Sequence, residues 1–323
     1  MKLISFSVSN YRSITRAHKI KLHDLTILVG KNNEGKSNII KAISLSMNII
    51  KKYSYFPHIR PMGYYKYLDN GFDYVWQRDF PVSSQNKKKG SKNTVFELEF
   101  LLTEQELDQF NKFTKSRLST SDFIIIIEIG EDNFPNLKVS KKGTSKLNSK
   151  VLLINEFVAK NIVFNYIPAI RTESQAIDLI RDNLAQELKV VENNPEYINA
   201  INTINRLQRE PLNGIAKKVQ ETLTTFIPSI QNVKIDIEEN IRKSSLRRAV
   251  EVSIDDGVLT NIDYKGDGIK SLATLAMLTD RYNVEQSSII AIDEPEAHLH
   301  PGSIRQLNNI LQGLVKDNQV IIA

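Results

Sequence analysis

Residues 25–50, "LTILVGKNNEGKSNIIKAISLSMNII", leave a chain of this kind few folds to choose from. The apolar run 25–29 reads as a buried strand and "GKNNEGKS" follows it. The helix that leaves this turn carries Ile39, Ile40, Ile43, Met47 and Ile50 on one stripe. Gly30 and Gly35 let the backbone fold tightly enough to aim its N–H groups inward, and Asn32, Asn33 and Asn38 belong to the same candidate nucleotide-binding set. Lys36 has the reach to meet β- and γ-phosphates, and the Ser37 hydroxyl can take a position on Mg²⁺. The helix N-terminus adds its own partial positive charge. Strand, glycine turn and helix in this order predict an α/β phosphate-binding fold.

A second segment, "SSIIAIDEPEAHLHP" at 287–301, supplies the acids such a site needs. Residues 288–292 predict a strand lying beside the phosphate-loop strand, which delivers Asp293 to the Mg²⁺ next to Ser37. Glu294, one residue on, is placed to polarise an attacking water as general base. His298 and His300 are two residues apart rather than the four that share a helix face, and only His18, His23 and His58 lie elsewhere. No zinc site is expected from them. They are read as shaping the turn before Pro301, with His298 close to the nucleotide of a neighbouring subunit.

Two further features bear on the nucleotide. Residues 1–24 predict two short strands, with Arg12 in the turn between them, either as a surface residue or as a supplementary cation folded toward the phosphates. "YKGDGIKSLATLAMLTDR" at 264–281 places Gly266 and Gly268 before a helix, a second anion-binding end. One triphosphate does not need two such ends. A head-to-tail pair, each copy covering the other's ATP, accounts for both, whereas a plain turn capping a core helix accounts only for the glycines. No "NKxD" follows the loop, and the long gap between Lys36 and Asp293 is unlike that of a small GTPase.

Composition narrows the class. Cysteine is absent, which excludes disulfides and thiolate metal sites and fits a reducing cytoplasm. No stretch approaches the roughly 18 apolar residues of a membrane span. Net charge is +6, concentrated in the runs "KKKGSK" (87–92) and "KVSKKGTSKLNSK" (138–150). They read as solvated loops or as a contact with a phosphate backbone. Neither has the aromatics of a base-stacking platform.

Between the motifs, "NTVFELEFLLTEQELDQFNKF" predicts a strand turning into a helix at Thr103, and "DFIIIIEIG", "KVLLINEFV" and "NIVFNYIP" predict strands of one mixed sheet. From 171 to 227 the period is helical, broken at Pro211; strands are expected again at 233–237 and 249–254. The strand 319–323 is expected to continue into further chain, since a strand that stops there exposes core edges.

"GKNNEGKS", "YIPAIR", "YKGDGIKSL" and "IDEPEAHLHP", in this order after an opening "VSNYRSI", resemble the ATPase region of the OLD (overcoming lysogenization defect) family of ATP-dependent nucleases, within the wider ABC/SMC/Rad50-like class. The resemblance implies an ABC/SMC-type P-loop ATPase head with ATP and Mg²⁺ as cofactors. It implies a first half at 1–170 with a variable basic insertion near 51–160, a helical dimerisation arm at 171–228, and a second half at 229–323. It also implies a Thr/Ser-His-Ser switch and a Toprim nuclease domain beyond 323, DNA as a partner, a homodimer or higher oligomer, and a role against phage. Gln77 or Asp79 in "YVWQRDFP" would be the further magnesium ligand. The chain departs from the ABC signature in having Gly266 where serine is usual, and Asp267 brings a negative charge that Lys265 or Lys270 has to offset. Two other functions fit the same motifs: a stand-alone ATPase that regulates a separate nuclease, toxin or other defence-system partner, and an SMC-like structural DNA clamp. Long heptad arms, which a clamp needs, are not expected in 171–227.

Overall fold

A computed structural model of the chain describes all residues except 32–34, 56–73, 88–89, 117, 119, 141–148, 169–172, 267, 271, 274–275, 277–286 and 297–300. Its contacts form two compact units, residues 1–169 with 279–323, and residues 170–278. Residues 229–278, grouped above with the second half of the head, cluster with the helical segment.

The first unit holds an antiparallel sheet of order β2-β1-β4-β5-β6, from β1 (Lys2–Tyr11), β2 (Ile14–Lys21), β4 (Thr94–Leu101), β5 (Asp122–Ile129) and β6 (Pro135–Ser140), with burial alternating along β4, β5 and β6. Phe96, Leu98 and Phe100 on β4 and Phe123, Ile125 and Ile127 on β5 are buried, while Glu97 and Glu99 on β4 and Ile124 and Ile126 on β5, between them, are half-buried on the opposite face. Phe100 and Phe123 are direct partners in register with ring centroids 5.5 Å apart. Burying one such ring stabilises the fold by roughly 1.5–3 kcal/mol. Thr103 starts the helix Glu104–Thr114 with a capping box: its hydroxyl accepts from the Glu106 N–H, and the Glu106 carboxylate accepts from the Thr103 N–H at 2.8 Å.

The second sheet is parallel, in the order β3-β11-β10-β7, from β3 (Leu25–Ile27), β7 (Ile162–Ile167), β10 (Ser287–Ile292) and β11 (Asn318–Ile322). Two expectations are corrected here. The acid-bearing β10 is not beside the phosphate-loop strand β3; β11 lies between them. β11 is interior, and all its residues are buried, the polar Asn318 and Gln319 together with Val320, Ile321 and Ile322. The strands of 94–129 and of 162–167 also belong to separate sheets rather than one.

Helix α1 (Lys36–Tyr55) touches both β1 and β7. Its burial therefore extends past one stripe to Ile40, Ala42, Ile43, Leu45, Met47, Ile49 and Ile50, while Ile39 is only partly buried. "KVLLINEFV", read above as strand, is the helix Val151–Asn161, packed on α1. Its buried residues Ile154, Asn155, Phe157 and Val158 follow a spacing of three to four, which a short apolar run does not separate from a strand by eye.

The second unit holds the helices Glu173–Leu188, α7 (Pro195–Phe226) and Glu239–Arg248, and a hairpin, Ser253–Asp255 with Leu259–Asn261. Asn194 caps α7, its side chain accepting from the Glu196 N–H at 2.8 Å ahead of Pro195 in the first turn. Pro211 does not break the helix; it sits within α7, at the cost of one main-chain hydrogen bond. Residues 233–237 are not strand, and the strand expected at 249–254 is confined to 253–255. Among the described residues no helix is long and apolar enough to cross a membrane.

Candidate functional site

The phosphate-loop segment is anchored at both ends. Leu28, just past β3, donates its N–H to Ile322 at 2.8 Å, and Gly35 accepts from the Ile39 N–H at 3.0 Å as α1 begins. Gly35 has φ +97°, and a Cβ there would lie 3.2 Å from the Ser13 hydroxyl. Both the torsion and the close approach require glycine. Asn38 donates to the same Ser13 hydroxyl at 2.9 Å, so the β1–β2 turn is fastened to the start of α1. The Lys36 ammonium is held by the loop's own carbonyls, Gly30 at 2.7 Å and Lys31 at 3.0 Å.

The acids arrive from the end of β10. Asp293 is buried, and its Oδ1 accepts from the Ser37 hydroxyl at 2.7 Å, although 256 positions separate the two. This contact forms across the intervening strand β11. Tyr166, near the end of β7, directs its hydroxyl at Asp293 Oδ2, 3.4 Å away. Burial first, and then the Asp293 charge, push the Tyr166 phenol well above its ordinary pKa. Glu294 is half-buried, with its N–H on the Ala323 carbonyl at 2.8 Å and φ +49°. A left-handed glutamate is uncommon, and such conformations gather at functional sites.

Arg12 and Asp79 are brought together from 67 positions apart. Arg12, also left-handed at φ +50°, donates through Nε to Asp79 Oδ1 at 2.9 Å and through its N–H to the Asp79 carbonyl. Asp79 is fully buried and takes Arg78 at 2.6 Å and the Val75 N–H at 3.0 Å on Oδ2. Burial pushes the Asp79 pKa up, but hydrogen bonds from Arg78, Val75 and Arg12 outweigh it and leave the carboxyl below its usual range. Both oxygens of Asp79 are thus engaged by arginine, while the alternative, Gln77, is exposed.

Gly266 and Gly268 lie in the second unit, where Gly266 is exposed and its carbonyl accepts from Ile269 at 3.0 Å and Lys270 at 3.2 Å as the helix starts. Lys265 is ion-paired with Asp256 and Lys270 is buried. Asn32, Asn33, Asp267, His298 and His300 lie outside the described residues, as do most of the 138–150 lysine run and part of "YIPAIR". Among the described residues no cluster of three or more His, Cys, Asp or Glu could hold a metal by itself. Ser37 and Asp293 are hard oxygen donors of the kind Mg²⁺ takes alongside phosphate oxygens. Sequence reasoning missed Tyr166 as a neighbour of Asp293, and it missed the Arg12–Asp79 pair.

The family model for the AAA ATPase domain AAA_15 matches residues 1–323. The chain belongs to that family. It is 25% identical, over 348 aligned residues, to the Old nuclease of Escherichia phage P2, covering 100% of this chain but 56% of that protein. It is 27% identical over 140 residues to the protein MJECL44 of Methanocaldococcus jannaschii, 43% of this chain and 35% of that one. The chain thus spans about half or less of the curated relatives it matches. Among solved structures it is similar to the SmcHead bound to the C-winged helix domain of ScpA, with TM-score 0.56 at 14% identity over 100% of this chain and 89% of that one. An Smc head with an extended coiled coil from Pyrococcus furiosus gives TM-score 0.50 at 14% identity over 99% and 88%. The fold is of the SMC-head, ABC-like α/β type, and an ATPase domain of this kind binds nucleotide.

Proposed function

We propose that this chain binds Mg·ATP at the Lys36–Ser37 turn and hydrolyses it slowly, each nucleotide being shared by two copies. We infer further that the module gates a DNA endonuclease in a longer protein that acts against phage. The observation that carries the nucleotide reading is the 2.7 Å contact between Ser37 and Asp293 at the mouth of the phosphate loop. A hydroxyl and a carboxylate meet there beside a lysine and a helix N-terminus, the set that Mg-triphosphate requires.

In this reading Gly30, Gly35 and the first turn of α1, Asn38 included, surround the phosphates, and Asn32 and Asn33 belong to the same binding set. Lys36 exchanges its loop carbonyls for phosphate oxygens. Ser37 and Asp293 would hold Mg²⁺, which would supply charge neutralisation to the bound triphosphate. Glu294, fixed by its backbone bond to Ala323, orients the water and takes its proton. Gly266 and Gly268 of a second copy close the site with their helix N-terminus. Gln77 is the remaining choice for a further magnesium ligand, because Asp79 is committed to arginine. Pairing of copies is supported by α7, which leaves Leu207, Ile215 and Phe226 exposed at 65%, 52% and 78%.

The nuclease link rests on the similarity to a protein named Old nuclease. The likeness to Smc heads supports a second reading, a DNA-holding clamp. The separating observation is whether the longer protein cuts DNA. For the site itself, Lys36→Ala should abolish ATP binding, and Glu294→Gln should bind ATP and fail to turn it over. Normal hydrolysis in both variants would refute the assigned roles.

A further inference from the structure

We propose that Tyr166 is a positioning residue for Asp293, fixing the plane of that carboxylate at the nucleotide site. This rests on the Mg·ATP reading above and adds a residue to it. In the parallel register Tyr166 is paired with Ala291, two positions before the acid. The Asp293 N–H donates to the Ile167 carbonyl at 3.0 Å, so the acid is tied to the strand that carries the tyrosine. The Tyr166 ring packs, partly buried, against the core, which limits where its hydroxyl can go. That hydroxyl faces Asp293 Oδ2 at 3.4 Å while Ser37 occupies Oδ1 at 2.7 Å.

Each oxygen of one buried carboxylate therefore meets a hydroxyl from a different element, β7 on one side and α1 on the other. Ser37 alone leaves the carboxylate free to rotate about a single anchor. A second donor at the far oxygen removes that freedom and keeps Oδ1 turned toward Ser37. The separation of 3.4 Å is long for a hydroxyl donor, and contacts of this kind at catalytic sites shorten once ligand is bound. Partners that orient a metal-binding carboxylate typically change metal affinity 10–100-fold when lost. A purely packing role for the ring predicts no such change, because Tyr166→Phe keeps the ring and drops only the hydroxyl.

The test uses the wild-type chain, Tyr166→Phe and Asp293→Asn, each saturated with a non-hydrolysable ATP analogue. Bound Mn²⁺ is read from the loss of the free-ion EPR signal, alongside KM for ATP at saturating Mg²⁺ and thermal melts. The expected result for Tyr166→Phe is Mn²⁺ affinity weakened by about 10-fold or more, with KM for ATP and melting temperature unchanged. Wild-type Mn²⁺ affinity in Tyr166→Phe overturns the proposal, and so does a loss that merely follows a lowered melting temperature. If wild type holds Mn²⁺ no better than Asp293→Asn, the Mg·ATP reading fails first and the proposal falls with it.

Discussion

Replacing Asp79 by asparagine should be the most informative single change outside the nucleotide loop. The carboxylate is fully buried and accepts from Arg12 Nε at 2.9 Å, Arg78 Nη2 at 2.6 Å and the Val75 N–H at 3.0 Å. Asparagine keeps one acceptor oxygen and turns an NH₂ toward a guanidinium or toward the Val75 N–H, so one donor always faces another. Hydrogen bonds to charged groups contribute roughly 1.5–3 kcal/mol each. Arg78 is 56% exposed and recovers most of its share from water, whereas Arg12 is 31% exposed and recovers less. The net cost is about 2–3 kcal/mol, or roughly 3–5 °C in melting temperature for a chain of this size. Urea and thermal melts of wild type and Asp79→Asn at neutral pH measure it. The sign of the pH dependence follows from the depressed folded-state pKa. Wild type's advantage should be complete above the ordinary carboxylate pKa of about 3.9, and should vanish as pH falls through the lower folded value. A difference below about 0.5 kcal/mol at neutral pH, the range of an ordinary surface change, would refute the view that this pair fixes the β1–β2 turn.

Other outcomes follow from the same structure. Gly35→Ala forces a side chain into φ +97° and to 3.2 Å from Ser13, so it should cost about 1–3 kcal/mol and weaken ATP binding, read by melts and nucleotide titration. Leu207→Asp with Ile215→Asp on the exposed face of α7 should leave the melting temperature of the chain intact while shifting sedimentation toward monomer. An unchanged mass would remove α7 from the interface. Thr103→Ala loses the capping box and should cost about 1 kcal/mol without touching ATP turnover.

That the chain is an ATPase domain was legible in the sequence because the signals are local. The turn around Gly35 and Lys36 and the pair Asp293–Glu294 each occupy a few consecutive residues, and the apolar runs that lead into them name their strands. What failed depends on relations between distant segments. Nothing in residues 318–322 announces that they lie between β3 and β10, because the residue pattern of a strand carries no strand order. Residues 151–161 satisfy both strand and helix patterns over a short run, and packing on α1 decided for helix. Pro211 is a breaker by propensity, yet it is tolerated inside the 32-residue α7. Arg12 meets Asp79, and Tyr166 meets Asp293, over 67 and 127 positions, with no periodicity to connect them.

The central claim is that two copies share each nucleotide, one through Lys36 and the other through Gly268. A mixing experiment tests it most directly, with Lys36→Ala chains and Gly268→Arg chains, each inactive alone. Random pairing puts one intact composite site in each mixed dimer, so an equal mixture should recover about a quarter of wild-type ATP hydrolysis. No recovery from a mixture in which both variants fold and associate would contradict the account.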